Sequence, residues 1–446
     1  MEDFRAIADA VAHDIATGRL TAGDRLPPQR EFARRRGIAG STAARVYAEL
    51  VRRGLTVGEV GRGTYVRATP PTVEPALAEP RTFAELGTAR VDLELNFPVV
   101  PGQAELLARS MQKLLRGGLL EDALRPVGAA GTPAARQAAA VALARTGWAP
   151  DPRQLLFAGN GRQAIAGTIA ALVPAGERLG VEAFTYPVVK GVAARLGVTL
   201  VPLAMDDDGV VPAALAQAPV RAVYLQPTLH NPLGVTMSQR RREDIAKVLE
   251  DKEIYAIEDS IYGFLRKDST PIAALAPQWT VVVDSLSKRL APGLTVGFCI
   301  PPATLVDRIG TALRSGGWTA AHFALAATTH WMADGTLATV EESKRTEAKR
   351  RQEIVATTLA DFTVRADPRA YHCWWELPEP WRADTFVAAA ARRGIAVSPG
   401  AIFAVGVGQA PHAVRLALAA PPVADLAAAL ESLAALARDT PDGGVE

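Results

Sequence analysis

Several residues that can carry out chemistry follow apolar, β-branched runs in the second half of the chain. The segment DSLSKRLAPGL places Lys288 directly after such a run. Burial at a strand end lowers the pKa of a lysine, so that its neutral amine can form a Schiff base. YAIEDSIYG ends another run with Asp259 and continues to Tyr262, and QPTLHNPLG places Asn231 before a proline. A carboxylate in this position can pair with a protonated pyridinium nitrogen, and a phenol can donate to a ring oxygen.

A glycine-rich segment, GNGRQAI, follows the apolar run QLLFA. It opens a predicted helix, and the N-terminus of a helix is a prepared site for a phosphate group. The same letters fit G-x-G-x-x-A, a dinucleotide-binding pattern, with Glu182 located 21 residues beyond Gly161. This alternative leaves the lysine, carboxylate, phenol and amide described above without roles. It also requires its strand to open the domain, although about seventy residues precede it.

Apolar runs alternate with alanine-rich helical stretches from about Val91 onward. The runs are QLLFAG, RLGVEAF, VTLVPLA, RAVYLQP, IYAIED, TVVVDSL and TVGFCI, and the helical stretches include RQAIAGTIAALV and PVVKGVAARLG. Continuous apolar strands that alternate with helices indicate a mostly parallel sheet with helices on both faces. The sequence therefore predicts an α/β domain over 91–446, which ends in a small α+β subdomain over about 305–446.

The composition excludes several classes of protein. The chain has 446 residues, of which 22% are charged and 49% hydrophobic, and 49 basic against 47 acidic residues leave a formal net charge of +2. Any nucleic-acid binding must then be local. Cys299 and Cys373 form no disulfide framework and no metal-binding pair, and no apolar run reaches the roughly 18 residues of a membrane helix. These features predict a soluble, cytoplasmic protein without a metal site or a membrane partner.

The first 68 residues are locally basic, and a proline-rich stretch separates them from the rest. They contain twelve arginines and no lysine against eight acidic residues, a local net charge of +4. A small basic domain of this kind is typical of proteins that contact nucleic acid. The segment 68–86 has four prolines and predicts an extended, semi-rigid linker. We therefore predict one domain over 1–67, here called the reader domain, and a linker over 68–90.

Three helices and a hairpin are predicted in the reader domain. Apolar residues recur at helical spacing from Phe4 to Ala16. Pro28 can start a second helix that Gly37 stops, and Ser41 is the predicted N-cap of a third. The segment LTVGEVGRGTYVR then predicts two short strands about a glycine-rich turn. This order of elements is typical of a winged helix-turn-helix.

The segments LPPQREFARRRGI, STAARVYAELVRRGL and GRGTYV resemble the DNA-binding domain of GntR-type regulators over 8–67. The resemblance implies contact with operator DNA, since arginine offers two parallel hydrogen bonds to guanine and glycines let the wing approach the minor groove. In the family an arginine usually opens the recognition helix, and Gly40 stands there in this chain. The DNA-binding residues that the resemblance implies are Arg30, Ser41, Thr42, Arg45, Arg62 and Gly63.

Taken in order, the residues of the larger domain resemble fold-type I, aspartate-aminotransferase-like enzymes that use pyridoxal 5'-phosphate (PLP). The resemblance covers about 91–440, and SLSKRLAPGL is its most specific motif. It implies that Lys288 forms the Schiff base with PLP, that Asp259 pairs with the pyridine nitrogen and that Arg415 holds a substrate carboxylate. The other cofactor contacts that it implies are Asn231 and Tyr262 at the ring hydroxyl, Tyr186 stacked on the ring, and Gly161, Arg162, Gln163, Ser285 and Ser287 at the phosphate.

Two positions depart from this family, and both concern the phosphate. Family members usually carry an arginine seven residues after the lysine, where PGLTVG places Thr295. They also carry a tyrosine that reaches the phosphate of the partner subunit, where LRPVGAAGT offers Pro126 or Val127. We expect either that Arg289 or Arg162 substitutes for the missing arginine, or that the phosphate is bound more weakly.

A GntR-type reader fused to such a domain is typical of the MocR subfamily of bacterial transcriptional regulators, and the whole chain fits that architecture. The resemblance implies a homodimer that binds operator DNA through 1–67 and senses PLP, or an adduct of PLP with an amino acid or amine, through 91–446. A sensor needs reversible occupancy, which a loose phosphate site provides. The alternative is a catalytically active PLP-dependent aminotransferase that carries a DNA-binding appendage.

Overall fold

The computed structural model describes residues 4–16, 19–21, 23–52, 55–59, 63–66, 89–116, 118–406 and 411–439. Arg62 and most of the predicted linker at 68–90 lie outside the described residues.

The described elements have the following bounds. The strands are β1 (Arg25–Leu26), β2 (Thr56–Glu59), β3 (Gly63–Val66), β4 (Val91–Leu93), β5 (Leu156–Ala158), β6 (Arg178–Glu182), β7 (Thr199–Leu203), β8 (Met205–Asp206), β9 (Gly209–Val210), β10 (Ala222–Leu225), β11 (Tyr255–Asp259), β12 (Thr280–Ser285), β13 (Gly297–Ile300), β14 (Thr363–Ala366), β15 (His372–Glu376), β16 (Ile395–Pro399) and β17 (Ala413–Ala417). The helices are α1 (Phe4–Ala16), α2 (Gln29–Arg36), α3 (Gly40–Arg52), α4 (Gln103–Arg116), α5 (Leu119–Ala123), α6 (Pro133–Leu143), α7 (Gly161–Leu172), α8 (Pro187–Arg195), α9 (Pro212–Gln217), α10 (Gln239–Lys252), α11 (Ile272–Leu275), α12 (Leu286–Arg289), α13 (Val306–Ser315), α14 (His322–Ala333), α15 (Thr336–Thr358), α16 (Ala383–Arg392) and α17 (Val423–Arg438).

The reader domain folds as α1 to α3 with an antiparallel sheet in the order β1-β3-β2. The apolar stripe of α1, including Ile7 and Val11, packs with Val46 and Leu50 of α3 in one buried cluster. Gly37 ends α2 in the left-handed region, at φ +65°, as a helix stop requires. These observations confirm the predicted winged helix-turn-helix.

The start of α3 differs from the prediction at Ser41. The helix begins at Gly40, and the backbone N–H groups of Thr42 and Ala43 donate to the carbonyl oxygen of Ala39. Ser41 therefore lies within the first turn and not at the position before it. The prediction that Ser41 is the N-cap is wrong.

The larger domain contains a seven-stranded sheet in the order β5-β13-β12-β11-β10-β6-β7. Neighbouring strands are parallel except where β13 runs antiparallel to β5 and β12. Strands in the middle of the sheet, such as β10 and β12, are buried along their whole length. Burial on both faces requires helices above and below the sheet, which explains the continuous apolar runs in the sequence. The predicted α/β fold is confirmed.

A second sheet, in the order β14-β15-β17-β16-β4, forms the small subdomain together with α16 and α17. β4 comes from the start of the domain and pairs in parallel with β16. Helices α13 and α14 follow the boundary predicted near residue 305, yet Ile309 and Trp331 pack in the clusters that cover the large sheet. The packing therefore starts the small subdomain later, within α15, whose Val355 joins the second core.

The wing of the reader domain contacts the small subdomain. The guanidinium of Arg382, at the start of α16, lies 4.3 Å from the centre of the Tyr65 ring on β3. An added Cβ at Gly23 would lie 3.6 Å from the Cβ of Ala388 on the same helix. The wing strand and the backbone just before β1 therefore lie against α16.

Both cysteines are buried free thiols. Burial raises the pKa of the Cys299 thiol to about 12, so that it stays protonated. In the part of the chain that the structure describes, no cluster of histidine, cysteine and acidic side chains could hold a metal ion. No described helix combines the length and the apolar composition needed to cross a membrane.

Candidate cofactor site and DNA interface

The predicted site residues of the larger domain meet at one edge of the seven-stranded sheet. Lys288 follows β12, Asp259 ends β11, Asn231 follows β10, Tyr186 follows β6, and the glycine-rich segment at Gly161 follows β5. All five strands point in the same direction, since β5 and β12 are both antiparallel to β13. The carboxyl ends of such strands form the usual ligand-binding edge of an open α/β sheet. The sheet topology thus explains why residues far apart in sequence come together.

Lys288 is half-buried, and its amine lies next to the loop that follows β4. Its Nζ donates to the carbonyl oxygen of Asn96 at 2.5 Å and lies 3.7 Å from the centre of the Phe97 ring. Burial lowers the pKa of Lys288 well below its usual value, and the nearby cations Arg415 and Arg162 lower it further. A lysine in these surroundings is a neutral nucleophile at a pH where an exposed lysine is charged.

Asp259 is a buried carboxyl held by three donors. Its Oδ2 accepts from the Tyr224 hydroxyl at 2.5 Å and from Gln226 Nε2 at 3.1 Å, and its Oδ1 accepts from the backbone N–H of Ile261. Burial raises the pKa of Asp259 to about 6, although these hydrogen bonds favour the charged form. Gln226 also accepts from the backbone N–H of Asn231 at 3.2 Å, which links the ends of β10 and β11.

Two buried amide oxygens in this site have no hydrogen-bond partner among the described residues. They are Oδ1 of Asn231 and Oδ1 of Asn96, whose Nδ2 donates to the Tyr262 hydroxyl at 2.9 Å. A buried polar atom without a partner costs roughly 1–3 kcal/mol, so a bound group with donors would be favoured here. Burial also raises the pKa of Tyr262, which keeps its hydroxyl protonated. These features fit the hydroxyl-bearing edge of a pyridoxal ring.

The N-terminus of α7 lies against two serine hydroxyls. Asn160 caps the helix by accepting from the backbone N–H of Gln163 at 3.0 Å. A Cβ at Gly161 would lie 2.9 Å from Ser285 Oγ, and Ser285 Oγ lies 2.7 Å from Ser287 Oγ. Backbone N–H groups, two hydroxyls and the positive end of a helix are the donors that bind a phosphate. Glycine at 161 allows this close approach.

Tyr186 and the segment 400–405 connect the two subdomains beside the site. Tyr186 is the residue before α8, and burial raises the pKa of its phenol, while the hydrogen-bonded guanidinium of Arg162 lowers it. The preceding Thr185 donates its backbone N–H to Phe403 at 2.9 Å. One turn into α8, Lys190 Nζ donates to the carbonyl oxygens of residues 402 and 404 at 2.6 and 3.1 Å. The small subdomain is therefore tied to the large one at the side of Tyr186.

Arg415 lies on β17 and faces the site from the small subdomain. It is 7% exposed, and its guanidinium donates to the carbonyl oxygen of Glu94 at 2.7 Å and to Ser398 Oγ at 3.0 Å. Its Nε is a buried donor without a partner among the described residues. A guanidinium with a free donor is suited to a carboxylate ligand.

Arg289 differs from the expectation that it contacts the phosphate. Its guanidinium donates to Asp284 and to Glu341, each at 2.6 Å, and all three side chains are buried. Because two carboxylates already hold this guanidinium, the expectation that Arg289 contacts the phosphate is wrong. Arg289 instead anchors α12, the short helix that carries Lys288. Thr295 offers a hydroxyl but no charge, so Arg162 is the cation that remains for the phosphate.

The dinucleotide alternative depends on Glu182, and the structure gives that side chain other partners. Glu182 is fully buried, accepts from the backbone N–H of Gln226 at 3.0 Å and lies 3.3 Å from His230 Nε2. His372, at the start of β15, places its Nε2 3.0 Å from the carbonyl oxygen of His230. Burial lowers the pKa of His372 to about 3, so it is neutral. Glu182 therefore supports the β10 loop and is not presented to a ribose.

The sequence did not single out Asn96, Phe97, Tyr224 or Gln226 as site residues. Asn96 and Phe97 follow a three-residue strand nearly two hundred positions before Lys288, and no local motif marks them. Tyr224 lies on β10, and Gln226 directly follows this strand as the first residue of the QPTLHNP segment. Their alternating positions on a buried strand end were the one available signal.

The predicted DNA contacts lie on α2, α3 and the wing. Arg30, Ser41 and Arg45 are exposed and Thr42 is half-buried. The Arg45 guanidinium lies 4.2 Å from the centre of the Phe4 ring, so α1 supports it. Gly63 is the predicted contact in the wing that the structure describes. Its φ of +121° favours glycine, and an added Cβ would lie 2.8 Å from Arg25 Nε. Arg30 and Arg45 are thus exposed cations on α2 and α3, and their contact with DNA stays a prediction.

Two family models match the chain. The model for aminotransferase class I and II matches residues 91–433, and the model for bacterial regulatory proteins of the gntR family matches residues 4–66. The chain is 30% identical to the uncharacterized HTH-type transcriptional regulator YdeF of Bacillus subtilis, over 94% of this chain and 90% of that one. The chain belongs to the MocR subfamily of GntR-type transcriptional regulators.

Further comparisons agree with a MocR-type regulator. The chain is 24% identical to the vitamin B6 salvage pathway transcriptional repressor PtsJ of Salmonella typhimurium, over 92% of this chain and 93% of that one. The solved structure of a Pyrococcus horikoshii kynurenine aminotransferase in complex with PMP has a TM-score of 0.71 at 20% identity, covering 79% of this chain and 92% of that one. The MocR-type chain is thus a transcriptional regulator with an aminotransferase-like domain of fold-type I.

Proposed function

We propose that this regulator binds operator DNA through residues 1–67 and senses PLP, or an adduct of PLP with an amino acid or amine, through residues 91–446. The observation that carries the proposal is that the Lys288 amine follows β12 at the same edge of the sheet as the Asp259 carboxyl and the serine-lined N-terminus of α7. PtsJ, a relative that is named as a repressor of vitamin B6 salvage, supports a PLP-related ligand.

Each part of the site has a role in holding PLP, which supplies an aldehyde and an electron-withdrawing pyridine ring when bound. Lys288 offers a neutral amine. Asp259, ionised above about pH 6, accepts a hydrogen bond from the protonated ring nitrogen. Asn231 and Tyr262 bind the ring hydroxyl, and Tyr186 covers the ring. Gly161, Arg162, Gln163, Ser285 and Ser287 bind the phosphate, and Arg415 binds the carboxylate of an amino acid.

A sensor is favoured over an aminotransferase because the phosphate is held by few cations. Thr295 replaces one arginine of the family, Pro126 or Val127 replaces a tyrosine, and Arg289 is engaged by two buried carboxylates. Turnover requires a cofactor that stays bound while its ring moves, whereas sensing requires occupancy that follows concentration. The weaker set of phosphate contacts serves the second need.

A homodimer is supported by exposed apolar side chains on adjoining helices. Leu115 of α4, Leu120 of α5 and Phe323 of α14 are 45%, 58% and 43% exposed, and Leu124, directly after α5, is 87% exposed. α14 packs against both α4 and α5, so these exposed side chains lie on neighbouring helices. An apolar face of this kind is typical of a protein interface. Two reader domains in a dimer would contact two half-sites of an operator.

The test of the function compares operator affinity with and without PLP at fixed salt. We expect PLP to change the dissociation constant of the wild-type chain for its operator, and we expect Lys288→Ala to remove that change together with the visible absorbance of the lysine-bound cofactor. Lys247→Ala, a change at a lysine whose side chain is 75% exposed, is the matched control and should behave as the wild type. Robust transamination of an amino-acid panel with unchanged DNA affinity would favour the aminotransferase instead.

A further inference from the structure

Lys344 is a fully buried lysine that contacts the backbone of the segment that carries Lys288. It lies on α15 and is 0% exposed. Its Nζ donates to the carbonyl oxygen of Lys288 at 2.9 Å and to that of Leu290 at 2.5 Å. These contacts are to the backbone that carries the reactive amine, so they act on its position.

The loop that carries Lys288 needs such support. α12 is only four residues long, and a helix of one turn is not stable by itself. Its last carbonyl groups lack partners within the helix, and Leu290, with φ −114° and ψ −89°, turns the chain away from helical geometry. Lys344 Nζ supplies a donor to this end of α12, and Gln103 Nε2 adds another to the Leu290 carbonyl at 3.0 Å.

The surroundings of Lys344 are costly for an amine. Glu341, one turn earlier on α15, is already engaged by Arg289 and Lys267, and the Tyr371 hydroxyl donates to the backbone carbonyl of Lys344 itself. Burial lowers the pKa of Lys344 to about 7, although Glu341 opposes the shift. A methionine of similar length would fill this space without that cost, so packing alone does not explain an amine here.

We propose that Lys344 is a positioning residue for Lys288, which holds the α12 loop so that the Lys288 amine projects into the cofactor site. The inference rests on the proposed role of Lys288 in PLP binding. Lys344 does not itself contact the cofactor; it acts through the two carbonyl groups that it binds.

The first experiment compares three variants at the same helix. Lys344→Met removes the donors, Lys344→Gln keeps an N–H donor without the charge, and Lys349→Met changes an exposed lysine of α15 as the control. In PLP titrations we expect Lys344→Met to weaken PLP affinity about tenfold, the size of one hydrogen bond to a charged group. We also expect a smaller lysine-bound fraction at saturating PLP. Lys344→Gln should recover part of both, and Lys349→Met should match the wild type.

A second measurement needs no cofactor. Amide hydrogen exchange of the PLP-free protein should be faster over 286–296 in Lys344→Met than in the wild type. Exchange in the β-strands of the large sheet should be unchanged, and this unchanged exchange would show that the variant is folded. Unchanged exchange in this loop, together with wild-type PLP affinity and wild-type lysine-bound fraction, would overturn the inference. If the wild type itself forms no lysine-bound species, the proposed function fails, and the exchange result still reports on whether Lys344 holds the loop.

Discussion

Asp259 is the residue through which pH should control the cofactor site. The carboxyl pKa is raised to about 6 by burial, against a usual value of 3.8, so the folded PLP-free protein binds a proton there that the unfolded chain releases. Between about pH 4 and 6 the free energy of unfolding should therefore decrease as the pH rises. The same proton must leave when the carboxylate becomes the partner of a pyridinium nitrogen, which couples ligand binding to pH.

The expected result is that PLP affinity falls below about pH 6, by up to tenfold for each pH unit. PLP titrations of the wild type between pH 5 and 8 measure this dependence. Asp259→Asn, which cannot ionise, should bind PLP more weakly throughout and should lose the part of the pH dependence that this carboxyl contributes. Identical pH profiles for the two proteins would show that Asp259 is not the partner of the ring nitrogen.

At the residue scale, the sequence predicted the side chains that belong to a local motif and missed those that do not. Lys288, Asp259 and Asn231 each follow a strand that can be recognised from its own letters. Tyr224, Gln226 and Asn96 act through hydrogen bonds to those residues, and such partners depend on which strands become neighbours. Arg289 was misplaced for the same reason, because Glu341, one of its two carboxylate partners, comes from α15, 52 positions away.

At the scale of elements, the alternation of apolar runs and helices was enough to predict the large sheet, while its boundaries with the small subdomain required the structure. β4 stands at the start of the domain but joins the small sheet beside β16, and no local pattern records that pairing. α13 and α14 are amphipathic or apolar helices whose sequences do not state which sheet they cover. Non-local pairing is therefore what the sequence left undetermined.

Arg45 of helix α3 is held from one side by α1, because its guanidinium lies 4.2 Å from the centre of the Phe4 ring. We expect Arg45→Ala to weaken operator binding by about 1–3 kcal/mol if this side chain reaches a base edge. Arg45→Lys keeps the charge but loses the paired donors, so it should retain the salt dependence and lose discrimination between operator sequences. Arg30→Ala should instead lower the salt slope by about 1 if Arg30 contacts a phosphate.

Fluorescence anisotropy with operator and scrambled DNA at several salt concentrations separates these outcomes. Arg153→Ala, at a side chain that is 89% exposed in the larger domain, is the control and should not change DNA binding. Equal losses on both DNA sequences for Arg45→Ala would assign Arg45 to the backbone and not to a base.

At the scale of the whole molecule, the question is how ligand binding at the candidate cofactor site affects the reader domain. Ser398 of β16 accepts from Arg415, and β16 packs against α16, whose Arg382 contacts Tyr65 of the wing. Binding at one site changes binding at another only if the ligand favours one arrangement of the elements between them. The contact between α16 and the wing is a described connection that links these two sites within one chain.

We therefore expect Arg382→Gln to leave PLP affinity unchanged and to reduce the effect of PLP on operator affinity. The physical reason is that the guanidinium lies over the Tyr65 ring, and a cation in this position contributes about 0.5–2 kcal/mol, similar to a typical coupling energy between two sites. The measurement is the ratio of operator dissociation constants with and without PLP, at fixed salt. Arg392→Gln, at the exposed end of the same helix, should keep the wild-type ratio. Tyr65→Leu should likewise reduce the effect of PLP on operator affinity, and Tyr65→Phe, which keeps the ring, should not. A wild-type ratio in both Arg382→Gln and Tyr65→Leu would exclude this contact as the route that couples PLP binding to DNA binding.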